Sequence, residues 1–114
     1  IVGKWRTIKF EYYTNGVLDE TETIVEENSS CPDYIEFKDN GTYVVIDNNA
    51  TCNSTADESG TYVYNGTTIS TTSGGSTDIL TVITLTNTDL KTDFTETSSD
   101  GTVFKNVAYF KKIN

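Results

Sequence analysis

Short runs rich in Tyr, Val, Ile, Phe and Thr alternate with Asn, Asp, Gly and Ser from one end of the chain to the other. None keeps a 3.6-residue apolar period for three turns, so the runs read as strands rather than helices. They cover about 4–13, 33–38, 42–47, 60–64, 67–72, 78–86, 89–97 and 102–112. The segment 17–27 is either a ninth strand or a lid, because Ile24 and Val25 are apolar but acids dominate around them. An apolar fraction of 35% is low for a helical bundle, yet it suits an all-β chain in which Thr and Ser occupy strand positions.

The connections between runs sort by length. Asp39-Asn40-Gly41, Asn65-Gly66 and Asn87-Thr88 are tight, and Asn and Gly tolerate the positive φ angles of hairpin turns. The others, 14–32, 48–59, 73–77 and 98–101, are longer. If successive strands run up and down, every tight turn lies at the Trp5 end and every longer loop at the other. This arrangement predicts an eight-stranded antiparallel up-and-down barrel with one plugged end and one mouth; a sandwich has no reason to sort its loops. A chain of 114 residues supplies one modest core, so 1–114 is read as a single domain.

Folding 33–51 at Asn40-Gly41 brings Cys31 and Cys52 together at the open end of one hairpin. A disulfide there closes a loop of roughly 20 residues, is worth about 3 kcal/mol on the chain-entropy estimate, and implies an oxidising compartment. Two cysteines without any histidine do not make a metal site, so no metal or other cofactor is expected. The oxygen-rich stretch 47–58 lacks the spacing of an EF-hand loop.

Charge and motif content exclude several functions. A net charge of −9 leaves too few clustered bases for phosphate contacts, so no nucleic-acid partner is expected. Between Lys9 and Lys91 the only base is Lys38. There is no His, no Gly-x-Ser-x-Gly elbow and no phosphate-binding loop; the acids fall mostly at loop or outward positions, and no catalytic residue is assigned. The longest apolar run, 79–85, is interrupted by Thr81 and Thr84 and falls far short of the roughly 20 residues a bilayer requires. The sequence begins at Ile1 without a basic, apolar leader, so a targeting peptide is expected to have been removed or never to have existed, and a lipid anchor upstream of Ile1 would be the route to a membrane. Five Asn-x-Ser/Thr triplets arise readily in a chain this rich in Asn, Ser and Thr, and those at Asn40 and Asn65 coincide with turns.

Gly3-Lys4-Trp5, "FKDNGTY" at 37–43, Gly60-Thr61-Tyr62, "ITLTNTDL" at 83–90 and the closing "AYFKK" follow one another in an order and spacing that resemble the bacterial lipocalin-like domains of exported proteins and lipoproteins in the Bacteroidota. The resemblance spans nearly the whole chain and implies a lipocalin-like barrel in a periplasmic, cell-surface or secreted protein. Thr88-Asp89-Leu90 matches the family's second motif loosely. No Arg lies near the C-terminus to cover the Trp, and Lys111 or Lys112 is the substitute.

Strand parity nominates the interior. The tight turns place Tyr64 opposite Thr67, Tyr62 opposite Ile69, Leu85 opposite Leu90, Ile83 opposite Thr92 and Thr81 opposite Phe94. A three-residue loop, favoured because Gly41 suits a bulge, pairs Phe37 with Tyr43. Trp5 and the set Ile8, Phe10 and Tyr12 have opposite parity, which predicts a bulge near Arg6-Thr7. Trp5, Phe37, Tyr43, Tyr64, Leu85, Leu90 and Phe110 then plug the closed end, while Phe10, Tyr12, Ile35, Val45, Tyr62, Thr71, Thr81, Phe94 and Phe104 line the upper half as the candidate ligand wall. Two functions fit: a carrier of a small apolar molecule, neutral or cationic because the mouth loops are acidic, or a solid-core module contacting a protein or glycan through its loops.

Overall fold

The computed structural model describes residues 1–113. Its strands are β1 (Gly3–Thr14), β2 (Val17–Thr23), β3 (Tyr34–Phe37), β4 (Thr42–Asn48), β5 (Ser54–Tyr64), β6 (Thr68–Ser73), β7 (Ser76–Leu85), β8 (Asp89–Thr97) and β9 (Val103–Lys112). All ladders are antiparallel, and β1 with β3–β9 closes into an eight-stranded ring through the β1–β9 pairing. β2 is a ninth strand outside the ring. It shares one edge of β1 with β3: Gly3–Trp5 pair with β3, and Lys9–Thr14 pair with β2.

The turns correct the sorting of loops by length. Asn15 (φ 48°) and Gly16 (φ 82°) join β1 to β2 in two residues, and Gly74 (φ 60°) and Gly75 (φ 83°) do the same between β6 and β7. Both tight turns are at the mouth. Asn15-Gly16 and Gly74-Gly75 each supply two consecutive positive-φ residues, so turn length does not distinguish the ends. The stretch 14–32 is therefore a hairpin, a strand and then an excursion from 24 to 33. The Cys31–Cys52 disulfide fastens that excursion to the β4–β5 connection. Asn48, which is buried, reinforces the join: its backbone N–H donates to Asp33 at 2.7 Å and its side-chain amide to the Pro32 carbonyl at 2.9 Å.

Phe37 pairs with Tyr43 and Ile35 with Val45. In β1 the bulge falls at Ile8, between Thr7 and Lys9, one residue beyond the expected Arg6-Thr7. It turns Trp5, Thr7, Phe10 and Tyr12 to one face. Between β5 and β6 the register is Tyr64 with Ile69 and Tyr62 with Thr71, two residues from the expected pairing. The cause is local: Asn65 Oδ1 accepts from the backbone N–H of Thr67 at 2.9 Å and of Thr68 at 2.8 Å, and this Asx turn lengthens the loop. Between β7 and β8, Leu85 pairs with Leu90 as expected, but an irregularity between Val82 and Thr84 then pairs Val82 with Thr92 and Thr81 with Asp93. Ile83 is left exposed on the outside, and Val82 packs against the core in its place.

The core occupies the closed end. Trp5, Phe37, Tyr43, Ile69 and Leu90 are buried, and Tyr64, Leu85 and Phe110 pack against them, so all seven expected plug residues belong to it. Ile69, fully buried, was not among them. Phe37 and Tyr62 meet edge to face with centroids 4.9 Å apart. Trp5 Nε1 donates to the Ile1 carbonyl at 2.8 Å, and Lys112 Nζ lies 5.4 Å from the Trp5 ring centroid, so Lys112 covers the indole. Gly3 makes this approach feasible: a Cβ there would sit 2.6 Å from Lys112 Cε.

Above the core the ring splits. β5 pairs with β6 only over Thr61–Tyr64, and β7 with β8 only over Thr81–Leu85. The upper part of β5, Ser54–Gly60, therefore rises past its ladder with β6, to which Ser73 Oγ adds a bond to the Ser59 carbonyl at 2.8 Å, while the upper part of the β6–β7 hairpin parts from β8.

Candidate functional site

The open half holds the candidate site. Cross-strand partners share a face. Phe10 pairs with Ala108 and Tyr12 with Asn106 on one side of β9, while Phe110, Ala108 and Asn106 pair with Leu90, Thr92 and Phe94 on the other. These side chains form one inner wall; Leu80 and Asp78 on β7 complete it. Together, Phe10, Asp78, Leu80, Thr92, Phe94, Asn106, Ala108 and Phe110 line a cavity of about 270 Å³. A second cavity of about 220 Å³ shares Phe10 and Phe110 and extends to Thr7, Ile35 and Val45 under the β3–β4 hairpin.

The expected upper-wall residues divide into three groups. Phe10, Phe94, Ile35 and Val45 line one or both cavities. Tyr12 stacks on Phe10, with centroids 6.1 Å apart, and its hydroxyl donates to Glu22 at 2.9 Å; Phe104 stands at the rim, 45% exposed. Thr71 is half-buried between Tyr62 and Asp78 in the ladder. The other two expectations are corrected. Tyr62 belongs to the closed end, where its hydroxyl donates to the Lys38 carbonyl at 2.6 Å, because the Asx turn at Asn65 moves its partner up by two residues. Thr81 is exposed, because the irregularity at 82–84 turns it outward and Leu80 inward.

Sequence reasoning missed Asp78, Leu80, Thr92, Asn106 and Ala108. Thr92 lies between Leu90 and Phe94 at alternate positions, and Asn106 and Ala108 continue the parity of Phe110, so a strict alternation count would have found them. Asp78 and Leu80 carried no such signal, since the run 79–83 is apolar at both parities.

Acidic groups surround the mouth. Burial first, then hydrogen bonding to Glu58, raises the Tyr43 hydroxyl above its ordinary pKa. Burial and then the Glu22 carboxylate do the same to Tyr12. The Asp33 carboxylate beside Asp47 raises Asp47. Asp100, in the β8–β9 connection, is lowered to about 2, first by the Ser98 hydroxyl and then by the Thr102 backbone. Among the described residues no group of three or more His, Cys, Asp or Glu side chains is arranged to hold a metal.

A family model for the lipocalin-like domain matches residues 1–92. The chain belongs to the lipocalin-like domain family. A comparison with curated protein sequences finds no match. Among solved structures, this lipocalin-like domain is similar to bovine odorant binding protein in complex with undecanal, at 16% identity and a TM-score of 0.51, over 98% of this chain and 70% of that one. It is also similar to aphrodisin, a sex pheromone from female hamster, at 16% identity and a TM-score of 0.45, over 98% of this chain and 74% of that one. The first likeness agrees with the barrel described above.

Proposed function

We propose that this lipocalin-like domain is an exported, extracytoplasmic carrier of a small apolar molecule, neutral or cationic, held in the upper barrel. The observation that carries this reading is the division of the interior: the lower half is filled by Trp5, Phe37, Tyr43, Ile69 and Leu90, while a cavity of about 270 Å³ opens above them against Phe10, Leu80, Phe94 and Phe110. A small, largely apolar concavity with a few polar groups is the usual form of a small-molecule site. Binding, rather than catalysis, is the activity, because the wall offers contacts and no nucleophile–base pair. The Cys31–Cys52 disulfide and the motif resemblance to exported bacterial domains support an oxidising location. The undecanal named for the bovine structure serves as a probe.

An uncharged, environment-sensitive apolar dye tests the reading. Its fluorescence should rise with the protein and fall on addition of undecanal, and Phe94→Ala should weaken dye binding several-fold. Absence of dye uptake up to its solubility limit, in protein with the intact disulfide, would overturn the carrier function.

A further inference from the structure

The cavity wall contains a carboxylate and no base. We propose that the ligand is an organic ammonium, an amphiphile with an apolar tail and a protonated amine head, and that Asp78 is its counter-ion. The inference rests on the carrier reading and narrows it to one chemical class.

The cavity is graded from floor to rim. Thr92 and Ala108 are buried at its base, with Leu80 and Phe110 beside them, whereas Asp78 and Asn106 are exposed at the top. An apolar tail placed against the floor therefore puts its head between a carboxylate and an amide. Asp78 forms no ion pair among the described residues.

The sign of the wall follows from the ladder. Asp78 pairs with Thr71, Glu22 with Phe10, Glu20 with Tyr12, Glu58 with Val45 and Glu96 with Phe104, so these acids share the inner parity of the upper half. The bases take the other face. Arg6 pairs with Lys111, Lys9 and Lys91 both pair with Tyr109, and Lys105 pairs with Tyr13, all at outward positions. Lys4 lies over the Tyr34 ring, Lys112 covers Trp5, and Lys38 sits in the closed-end turn. None of the eight bases is left for the upper inner wall.

An alkyl carboxylate would bring a like charge to this wall without a cationic partner. A neutral alcohol would gain only burial and one hydrogen bond. An ammonium gains a charge-assisted bond to Asp78 and faces the electron-rich rings of Phe10 and Phe94. A bare metal ion does not fit, because one carboxylate among phenylalanines does not replace its hydration shell.

The test is competition against the uncharged dye by octylamine, octanol and octanoate at neutral pH. Octylamine should bind about tenfold tighter than octanol at low salt, with octanoate weakest, and the amine advantage should shrink at high salt. In Asp78→Asn the amine advantage should disappear, with octylamine binding no tighter than octanol to the same variant. Circular dichroism verifies that the variant is folded, and the salt dependence of the parent protein gives the answer if it is not. Equal affinity for octanol and octylamine in the parent overturns the ammonium inference and leaves the carrier reading standing. Failure of all three compounds, and of the dye, overturns both.

Discussion

The two halves of the barrel are built from the same strands but held together differently. In the lower half each of the eight strands is paired on both sides, and large side chains fill the interior. In the upper half the β5–β6 and β7–β8 ladders end early, β2 replaces β3 beside β1, and the excursion 24–33 is held by a disulfide. The contrast separates two demands. Close packing supplies stability in the lower half, and incomplete pairing leaves in the upper half the opening that the proposed carrier function requires.

The largest effect should come from removing the plug. Trp5→Ala deletes a buried indole and is expected to lose about 3 to 5 kcal/mol in urea unfolding. A melting temperature within a degree or two of the parent would mean that the lower half is not the source of stability. Replacing both Cys31 and Cys52 by Ser releases the excursion and should lose about 3 kcal/mol. Hydrogen exchange sharpens the comparison: protection should fall first around 24–33 and 49–54, with Trp5 and Leu90 amides last to exchange. Uniform loss across both halves would erase the distinction.

Phe94→Ala, in the upper wall, should lose only about 1 kcal/mol of stability, because Phe94 is half-buried and faces a cavity. A loss equal to that of Trp5→Ala would mean that the upper half is packed like the lower.

The smallest effects are electrostatic and run in opposite directions at Asp89 and Asp47. At the closed end Asp89 is lowered, first by its hydrogen bond from Lys111 and then by Thr88. Its stabilisation is present above the ordinary aspartate range and is lost as pH falls through the folded value. At the mouth Asp47 is raised by Asp33, so its charged form is disfavoured at neutral pH and that penalty disappears as pH falls through its raised value. Carboxyl NMR titration should show Asp89 below and Asp47 above ordinary aspartate; the reverse order would break the electrostatic contrast.

Much of the lower half was legible in the sequence. Asn40-Gly41 set the β3–β4 register, alternation selected Phe37, Tyr43, Leu85, Leu90 and Phe110, and the two cysteines measured their own distance from the turn. These are local facts, since a turn and a parity count need no knowledge of the rest of the ring. Asn15-Gly16 carried the same signal and was hidden by the acids that follow it.

The upper wall was decided by tertiary structure. An irregularity at 82–84 exchanged Thr81 for Leu80 and brought Asp78 inward, and a bulge at Ile8 reconciled Trp5 with Phe10. A bulge reverses the parity of everything beyond it, and its position is set by how eight strands must tilt and stagger to close. The sequence by itself determined most of the strand segments, where most of them turn, and what fills the closed end, though it read 54–59 as loop and left 17–27 open. Closure of the ring chose which residues of an apolar run face the cavity, because that choice depends on strands distant in sequence.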